Sequence, residues 1–294
     1  MAEVLILGSA GFVGSNIANY MVQHTNSSIA TVDSLASTAN LKNLQPAMQS
    51  KNRHNFYLAK AEDKEIARKI FELEQPKILV YNIASSQLND PSEDAGAELE
   101  VLRFWHKLCL EFNVKKMILL LDHRVIYDKL TVAQEAFVFG CEELILRSEE
   151  LLMNVLVPCY VFGPRQKITN MAPNLFKEKL QGNSPINLSS KKMEMMYIKD
   201  YFFNILNFIE ASQKSGLYIM CNNEVASEKE LDSYLQCIAD GIEPGYNFNG
   251  NAEHANSSFV MPPIYFAWTP NYNLASALEH TMCWYDVNRW AWEI

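Results

Sequence analysis

Three glycines, Gly8, Gly11 and Gly14, stand in a GxxGxxG spacing between a short apolar run and a helix-like stretch. The run, residues 3–7 (EVLIL), is continuously hydrophobic, as a strand buried on both faces must be. Residues 15–24 then read as a helix. Each glycine has a separate physical use. Gly8 permits the tight turn, Gly11 lets a backbone approach a pyrophosphate, and Gly14 lets helix and strand pack closely. With Phe12 and Val13 between them, the loop presents backbone N–H groups at a helix N-terminus, where the dipole favours an anion. The next apolar run, residues 28–32, stops at Asp33. An acid there accepts hydrogen bonds from ribose hydroxyls and repels a 2′-phosphate, so the pattern predicts NAD rather than NADP. The competing reading is a structural strand–turn–helix unit that binds nothing.

The pattern continues along the chain. Residues 55–58, 77–83 and 117–121 read as strands, alternating with helices over 62–73 and 98–112. Alternation at this spacing predicts an α/β fold, a Rossmann-type doubly wound parallel sheet. The second half is less regular: a helix over 137–153, a strand over 154–161 broken by Pro158, a helix over 201–211 and a strand over 216–220. A helix over 227–239 opens on a capping box, Ser227 with Glu230, and a last helix covers 274–288. The expected organisation is a dinucleotide domain over residues 1–165 and a smaller mixed α/β lobe over 166–294, interleaved rather than strung as beads.

Composition narrows the function classes. The net charge of −9, from 25 Lys+Arg against 34 Asp+Glu, argues against a general nucleic-acid binder, which needs a basic face. No apolar run approaches the roughly 20 residues that span a bilayer. With no leader segment read at the N-terminus, a cytoplasmic protein is expected, with neither nucleic-acid nor membrane partner. The cysteines, Cys109, Cys141, Cys159, Cys221, Cys237 and Cys283, show no metal-ligand spacing, nor do the six histidines, so reduced thiols and no metal site are expected. Glu142, Glu143, Glu149 and Glu150 read as a solvated helix face. Trp284, Trp290 and Trp292 read as a packed C-terminal helix, with an exposed docking end as the alternative.

Several motifs together resemble the extended short-chain dehydrogenase/reductases, and more narrowly the dTDP-glucose 4,6-dehydratases. Residues 8–16 resemble that family's GGAGFIGSN, and DSLASTANLKNL (33–44) its DKLTYAGNLENL. Residues 71–84 parallel a stretch containing QPDxVxHLAA. Phe162-Gly163-Pro164-Arg165-Gln166 resembles YGPxQ, GLYIMCNNEV (216–225) resembles GEVYNIGGxNE, and residues 267–285 keep Trp268, Pro270, Leu278, Thr281, Trp284 and Tyr285 of the family's tail. The resemblance implies NAD binding, with Ala84 joining the glycine loop and Asp33 on the cofactor side. It also implies a homodimer through a helix bundle supplied by the helices near 98–112 and 137–153, or membership of a larger assembly.

The family's chemistry is where the sequence departs. It needs a Tyr base and a Lys four residues later, the Lys lowering the Tyr pKa so that the phenolate takes a proton while hydride leaves for NAD. None of the 13 tyrosines has a Lys four positions on. Phe137 and Cys141 align there, or Thr131 and Glu135 in an ungapped alignment. The family's Thr-Asp-Glu after the fifth strand becomes Asp122-His123-Arg124, read as surface or interface polar residues, or else as a new acid/base set. The adenine-reading acid aligns with Lys60. Substrate-binding residues align with Thr169-Asn170, with Met193, beside which Lys191 and Lys192 offer substitute cations, and with Glu253-His254. About ten residues separate Asp128 from the expected catalytic helix, too few for the family's sugar-enclosing loop. The expected protein is therefore a catalytically inactive relative that retains the NAD loop and serves as a scaffold, regulatory or assembly subunit. The alternative is a divergent NAD-dependent nucleotide-sugar dehydratase or epimerase with relocated acid/base groups.

Overall fold

The computed structural model describes residues 1–36, 39–50, 52–83, 95–183, 185, 187–246, 248–250, 252 and 259–292. β1 (Val4–Leu7) runs through the glycine loop into α1 (Phe12–His24), then β2 (Ile29–Asp33), a 3-10 turn (Leu41–Leu44), the short α2 (Gln45–Met48), β3 (His54–Leu58) and α3 (Lys64–Glu74). β4 (Ile78–Asn82), α4 (Ala95–Glu111), β5 (Lys116–Leu120), α5 (Arg124–Tyr127), α6 (Val132–Arg147) and β6 (Leu152–Pro158) complete the first half. β7 (Tyr160–Phe162), α7 (Met171–Leu180), β8 (Met193–Tyr197), α8 (Ile198–Glu210), β9 (Gly216–Met220), β10 (Val225–Ala226), α9 (Glu228–Ala239), β11 (Ile264–Tyr265) and α10 (Leu274–Val287) follow, and a 3-10 turn (Arg289–Trp292) ends the described chain.

Eight strands form one sheet in the order β11-β9-β6-β5-β4-β1-β2-β3, and its pairings are parallel throughout. β1, β2, β5 and β9 are buried along their whole length, which is why they read as unbroken apolar runs. A second sheet, β10-β8-β7, is mixed: β7 pairs parallel to β8, and β10 antiparallel to it. The expected Rossmann-type sheet with a smaller mixed lobe is the fold found. The strand order reverses between β1 and β4, and such a switch point opens a crevice beyond the carboxyl ends of the strands. The glycine loop lies there, directly after β1. After leaving for the small sheet, the chain returns to add β9 beside β6 and β11 at the edge.

Several boundaries differ from the sequence expectation. The helix expected over 137–153 is α6, which begins at Val132 behind a capping box of Thr131 and Gln134 and ends at Arg147. Residues 152 and 153 already belong to β6. Only residues 128–131 therefore connect α5 to α6, fewer than the ten allowed for. The strand expected over 154–161 is two strands in two sheets, parted at Cys159 after Pro158. The capping box at Ser227 and Glu230 is formed as expected.

A buried ammonium and a close helix contact lock these layers. Lys116, buried at the start of β5, donates its ammonium to the carbonyls of Phe208, Ile209 (3.0 Å) and Ala211 (2.6 Å) at the C-terminus of α8, where a cation also meets the negative end of the helix dipole. α4 and α6 approach closely at Gly140, where a Cβ would fall 2.4 Å from a Leu99 methyl. No described helix is long and apolar enough to cross a membrane.

Candidate functional site

The glycine loop is built as its spacing requires. Gly8 sits at φ +69°, and a Cβ on it would fall 2.4 Å from the Asn82 carbonyl oxygen at the end of β4. A Cβ on Gly14 would fall 2.1 Å from the Gly8 carbonyl oxygen and 2.8 Å from Ser9 Cα. Gly11 is different: a Cβ there meets nothing nearer than that same oxygen, at 3.9 Å. The chain therefore closes on itself at Gly8 and Gly14 and leaves open space over Gly11. Gly11 is also the N-cap of α1; no side chain caps this end, and no acid lies in the first turn. Phe12 and Val13, half-buried, complete the first turn. An open, uncapped helix N-terminus of this kind fits a pyrophosphate.

Asp33 underpins the loop. One carboxylate oxygen accepts from the Ala10 N–H at 2.8 Å and the other from the Leu35 N–H at 2.8 Å. A carboxylate has about four acceptor positions, so two remain for ribose hydroxyls. Behind the loop lies an asparagine network that motif reading left without a role. Buried Asn43 donates to the Ala10 carbonyl at 3.0 Å, and Asn19 donates to the Asn43 carbonyl while accepting from Ala47 N–H. Asn16 bridges to the other half of the chain. It donates to Pro164 O at 2.9 Å and accepts from Arg165 at 2.8 Å. The visible signal was the NLKNL stretch, whose second Asn is the buried one. Ala84, also expected at the cofactor, lies outside the described residues, as do Glu253 and His254.

The catalytic end is differently furnished. Phe137 and Cys141, on α6, are wholly buried core residues. Burial, with the negative charge of Glu142 and Glu98 nearby, pushes the Cys141 thiol up, the opposite of what a nucleophile needs. Thr131 is spent on the α6 cap, and Glu135 is exposed. Each tyrosine among the described residues whose pKa is shifted has it raised by burial: Tyr160 to about 12, and Tyr81, Tyr127, Tyr197 and Tyr201 in the same direction. A phenolate base needs the reverse shift.

Asp122, His123 and Arg124 follow β5 and are half-buried, not surface groups. One Asp122 oxygen, Oδ1, meets His123 Nδ1 at 3.1 Å and Arg124 Nε at 2.6 Å, and accepts from the Arg124 N–H at 3.1 Å. Burial works to raise the Asp122 pKa, but the hydrogen bonds and charges of His123 and Arg124 prevail and hold the carboxyl well below the usual range. The His123 ring stands edge-on to Tyr160 at 5.0 Å. This is a paired cluster in which His123 and Arg124 meet the same carboxylate oxygen.

Other expectations change on inspection. Glu142 is not solvated: it is buried, and its two oxygens accept the N–H groups of Met261 at 2.9 Å and Val260 at 3.2 Å. Glu143 pairs with Arg103 and Arg147, and Glu149 and Glu150 lie beyond the helix, exposed. Lys191 and Lys192, considered as substitute cations, pair with Asp128 at 3.7 Å and Glu230 at 3.1 Å. Lys60 is exposed after β3, and Thr169 and Asn170 are exposed before α7. Trp290 packs edge-on against Trp284 at 5.9 Å, so this end of the tail is packed.

With the geometry in place, comparison with known proteins is informative. Residues 5–96 match the family described as GDP-mannose 4,6 dehydratase. A dTDP-glucose 4,6-dehydratase of Salmonella typhimurium is 32% identical over 98 residues, covering 33% of this chain and 27% of that enzyme. The dTDP-glucose 4,6-dehydratase of Haemophilus influenzae is 27% identical over 153 residues, covering 47% of this chain and 44% of that enzyme. These matches thus span less than half of either curated relative. The fold likeness is longer. A dTDP-glucose 4,6-dehydratase of Bacillus anthracis, solved in complex with NAD, superposes with a TM-score of 0.80 at 16% identity, covering 100% of this chain and 99% of that one. A UDP-glucose 4-epimerase of Thermotoga maritima, solved with UDP-glucose, gives 0.76 at 19% identity, covering 97% and 99%. The sequence likeness to nucleotide-sugar dehydratases is thus carried by residues 5–96 and by less than half of the chain in each relative, while the likeness in fold to a dTDP-glucose 4,6-dehydratase and a UDP-glucose 4-epimerase runs from end to end.

Proposed function

We propose that this protein binds NAD at the glycine loop but does not carry out sugar dehydration, and that it works as a regulatory or assembly subunit. One contrast carries the reading. The loop keeps its closed glycine geometry and its Asp33 brace, while the helix position that should present a Tyr and a Lys presents Phe137 and Cys141 turned into the core. Bound NAD supplies a hydride acceptor. Gly11, Phe12 and Val13 would hold its pyrophosphate through backbone N–H groups, and Asp33 its adenosine ribose. What is missing is a group to take the substrate proton, since Phe has no ionisable oxygen and the buried Cys141 thiol resists ionisation. The likeness to enzymes solved with NAD supports the cofactor half of the proposal.

A homodimer is part of the same reading. α4 and α6 lie side by side, and α6 leaves Phe139 about half exposed and Leu146 73% exposed, a surface suited to a helix bundle between two copies. Sedimentation at micromolar concentration tests this; a monomer would refute it.

A second reading has one observation in its favour. His123 Nδ1 faces the Asp122 carboxylate, the arrangement that orients a histidine as a general base. Arg124 shares the same oxygen and works against it. The deciding experiment incubates the protein with NAD and dTDP-glucose. A thermal shift with NAD and no 4-keto product is expected. Steady turnover overturns the inactive reading, and no shift overturns the cofactor reading.

A further inference from the structure

Cys159 and Cys221 carry an inference that does not rest on NAD binding. β6 and β9 run in parallel register as far as Pro158 opposite Met220. The Cys159 N–H bond to Met220 O at 2.8 Å closes that last pair, and Cys159 and Cys221 each follow it by one residue. The two cysteines are thus register neighbours at the carboxyl ends of adjacent strands. Neighbouring strands lie about 4.8 Å apart, within the roughly 4.4–6.8 Å Cα separation that a disulfide spans. The Tyr127 hydroxyl lies 4.0 Å from the Cys221 sulfur.

Their surroundings differ in a useful way. Cys159 is buried and Cys221 is half-buried. Cys221 lines an open depression of about 410 Å³, shared with Asn222, Glu224, Phe266 and Trp268. Of the two cysteines, Cys221 alone lines it. Burial, reinforced by Cys221 and Glu194, pushes the Cys159 thiol up, which protects it from direct oxidation and makes its attack on an oxidised Cys221 the slow step.

We propose that Cys159 and Cys221 form a reversible disulfide when a hydroperoxide reaches the depression. The Cys221 thiolate attacks a peroxide oxygen and the O–O bond breaks. Cys221 becomes a sulfenic acid, and the departing hydroxide, or alkoxide, takes up a proton. The Cys159 thiol then gives up its proton and attacks the Cys221 sulfur. The S–O bond breaks, hydroxide leaves and is protonated to water, and the S–S bond forms. Two thiols are oxidised and one peroxide is reduced, to two waters when it is hydrogen peroxide. A dithiol reductant reverses the reaction. The bond would tie β6 to β9 at the rim of the depression and withdraw the Cys221 thiol from Tyr127.

The test treats the full chain, reduced and then desalted, with hydrogen peroxide. The expected result is a mass lower by two hydrogen atoms, a non-reduced digest containing one peptide pair joined through Cys159 and Cys221, and reversal by dithiothreitol. Cys221→Ser should abolish the link. Cys159→Ser should leave Cys221 as a sulfenic acid that dimedone traps. Should that variant not fold, wild-type Cys221 trapped by dimedone before the link closes gives the same information. Cys283→Ser, at the exposed cysteine, should leave the link unchanged. A wild-type chain in which Cys221 proceeds to sulfinic acid, or in which both thiols remain alkylatable, overturns the proposal.

Discussion

Replacing Gly11 and Gly14 separately by alanine distinguishes a loop that binds a dinucleotide from one that only turns the chain. At Gly14 the new Cβ falls 2.1 Å from a carbonyl oxygen and 2.8 Å from a Cα, both backbone. No flexible side chain can move aside, so the strand–helix junction must open. Overpacking of this kind costs about 1–3 kcal/mol. At Gly11 the backbone is extended, φ −76°, and the nearest neighbour is at 3.9 Å. Two small effects oppose each other there. Alanine restricts the unfolded chain, worth about 0.4–1 kcal/mol, and is a poorer N-cap than glycine by a similar amount. The stability of the free protein should therefore stay within about 0.5 kcal/mol of the parent. The added methyl occupies the open space over the loop, where the pyrophosphate would lie. With NAD at about a hundredfold over its Kd, the parent gains roughly 2.7 kcal/mol, a rise in Tm of about 4 °C for a chain of 294 residues. Differential scanning fluorimetry with and without NAD reads both quantities. Gly11→Ala should melt like the parent without NAD and lose the shift with it, whereas Gly14→Ala should melt early in both. A Gly11→Ala protein that keeps the full shift would refute the placement of the cofactor on this loop.

Three further perturbations test other parts of the argument. Phe137→Tyr with Cys141→Lys should yield no 4-keto sugar from dTDP-glucose, because only residues 128–131 connect α5 to α6 and the carboxylate pair is absent; measurable product would show that those losses matter less than argued. Lys116→Met removes an ammonium from three carbonyls and should cost about 3 kcal/mol, since hydrogen bonds to charged groups contribute about 1.5–3 kcal/mol and the carbonyls are left buried; a urea midpoint within error of the parent would contradict it. His54 and His106 are held below the ordinary histidine value by burial, so they stay neutral in the folded protein while the unfolded chain protonates below about pH 6.5. Their contribution is whole above that value, is lost as the pH falls toward the folded-state pKa, and levels off beneath it. His106→Gln, which can keep a hydrogen bond to Ser148, should flatten the pH dependence of stability between about pH 7 and 5; an unchanged slope refutes this assignment.

The nucleotide half was legible because its signals are local. Gly8, Gly11, Gly14 and Asp33 lie within one strand–helix–strand unit, and the geometry each residue type demands can be written down without knowing the rest of the fold. The same holds at Ser227 and Glu230, where the cap needs only residues three apart. What stayed hidden depends on distant partners. Glu142 reads as a surface acid because it stands beside Glu143, yet its partners lie 118 and 119 positions away. β7 and β8 are three and five residues long and exist as a sheet because they meet each other and β10. The start of α6 was misjudged for a different reason. The cap of Thr131 and Gln134 precedes exposed Val132, Ala133 and Glu135, a first turn with no apolar face to mark it.

The return of β9 to the large sheet bears on the order in which the protein can be made. β6 has its outer edge covered only when residues 216–220 arrive, and the α8 carbonyls that receive Lys116 lie more than ninety positions beyond it. During synthesis the first half therefore waits with an apolar, unpaired strand edge, the surface that templates aggregation. A fragment ending at residue 165 would keep that edge permanently. Residues 216–220, which follow the small sheet's β7 and β8 in the chain, are what close the edge of the large one.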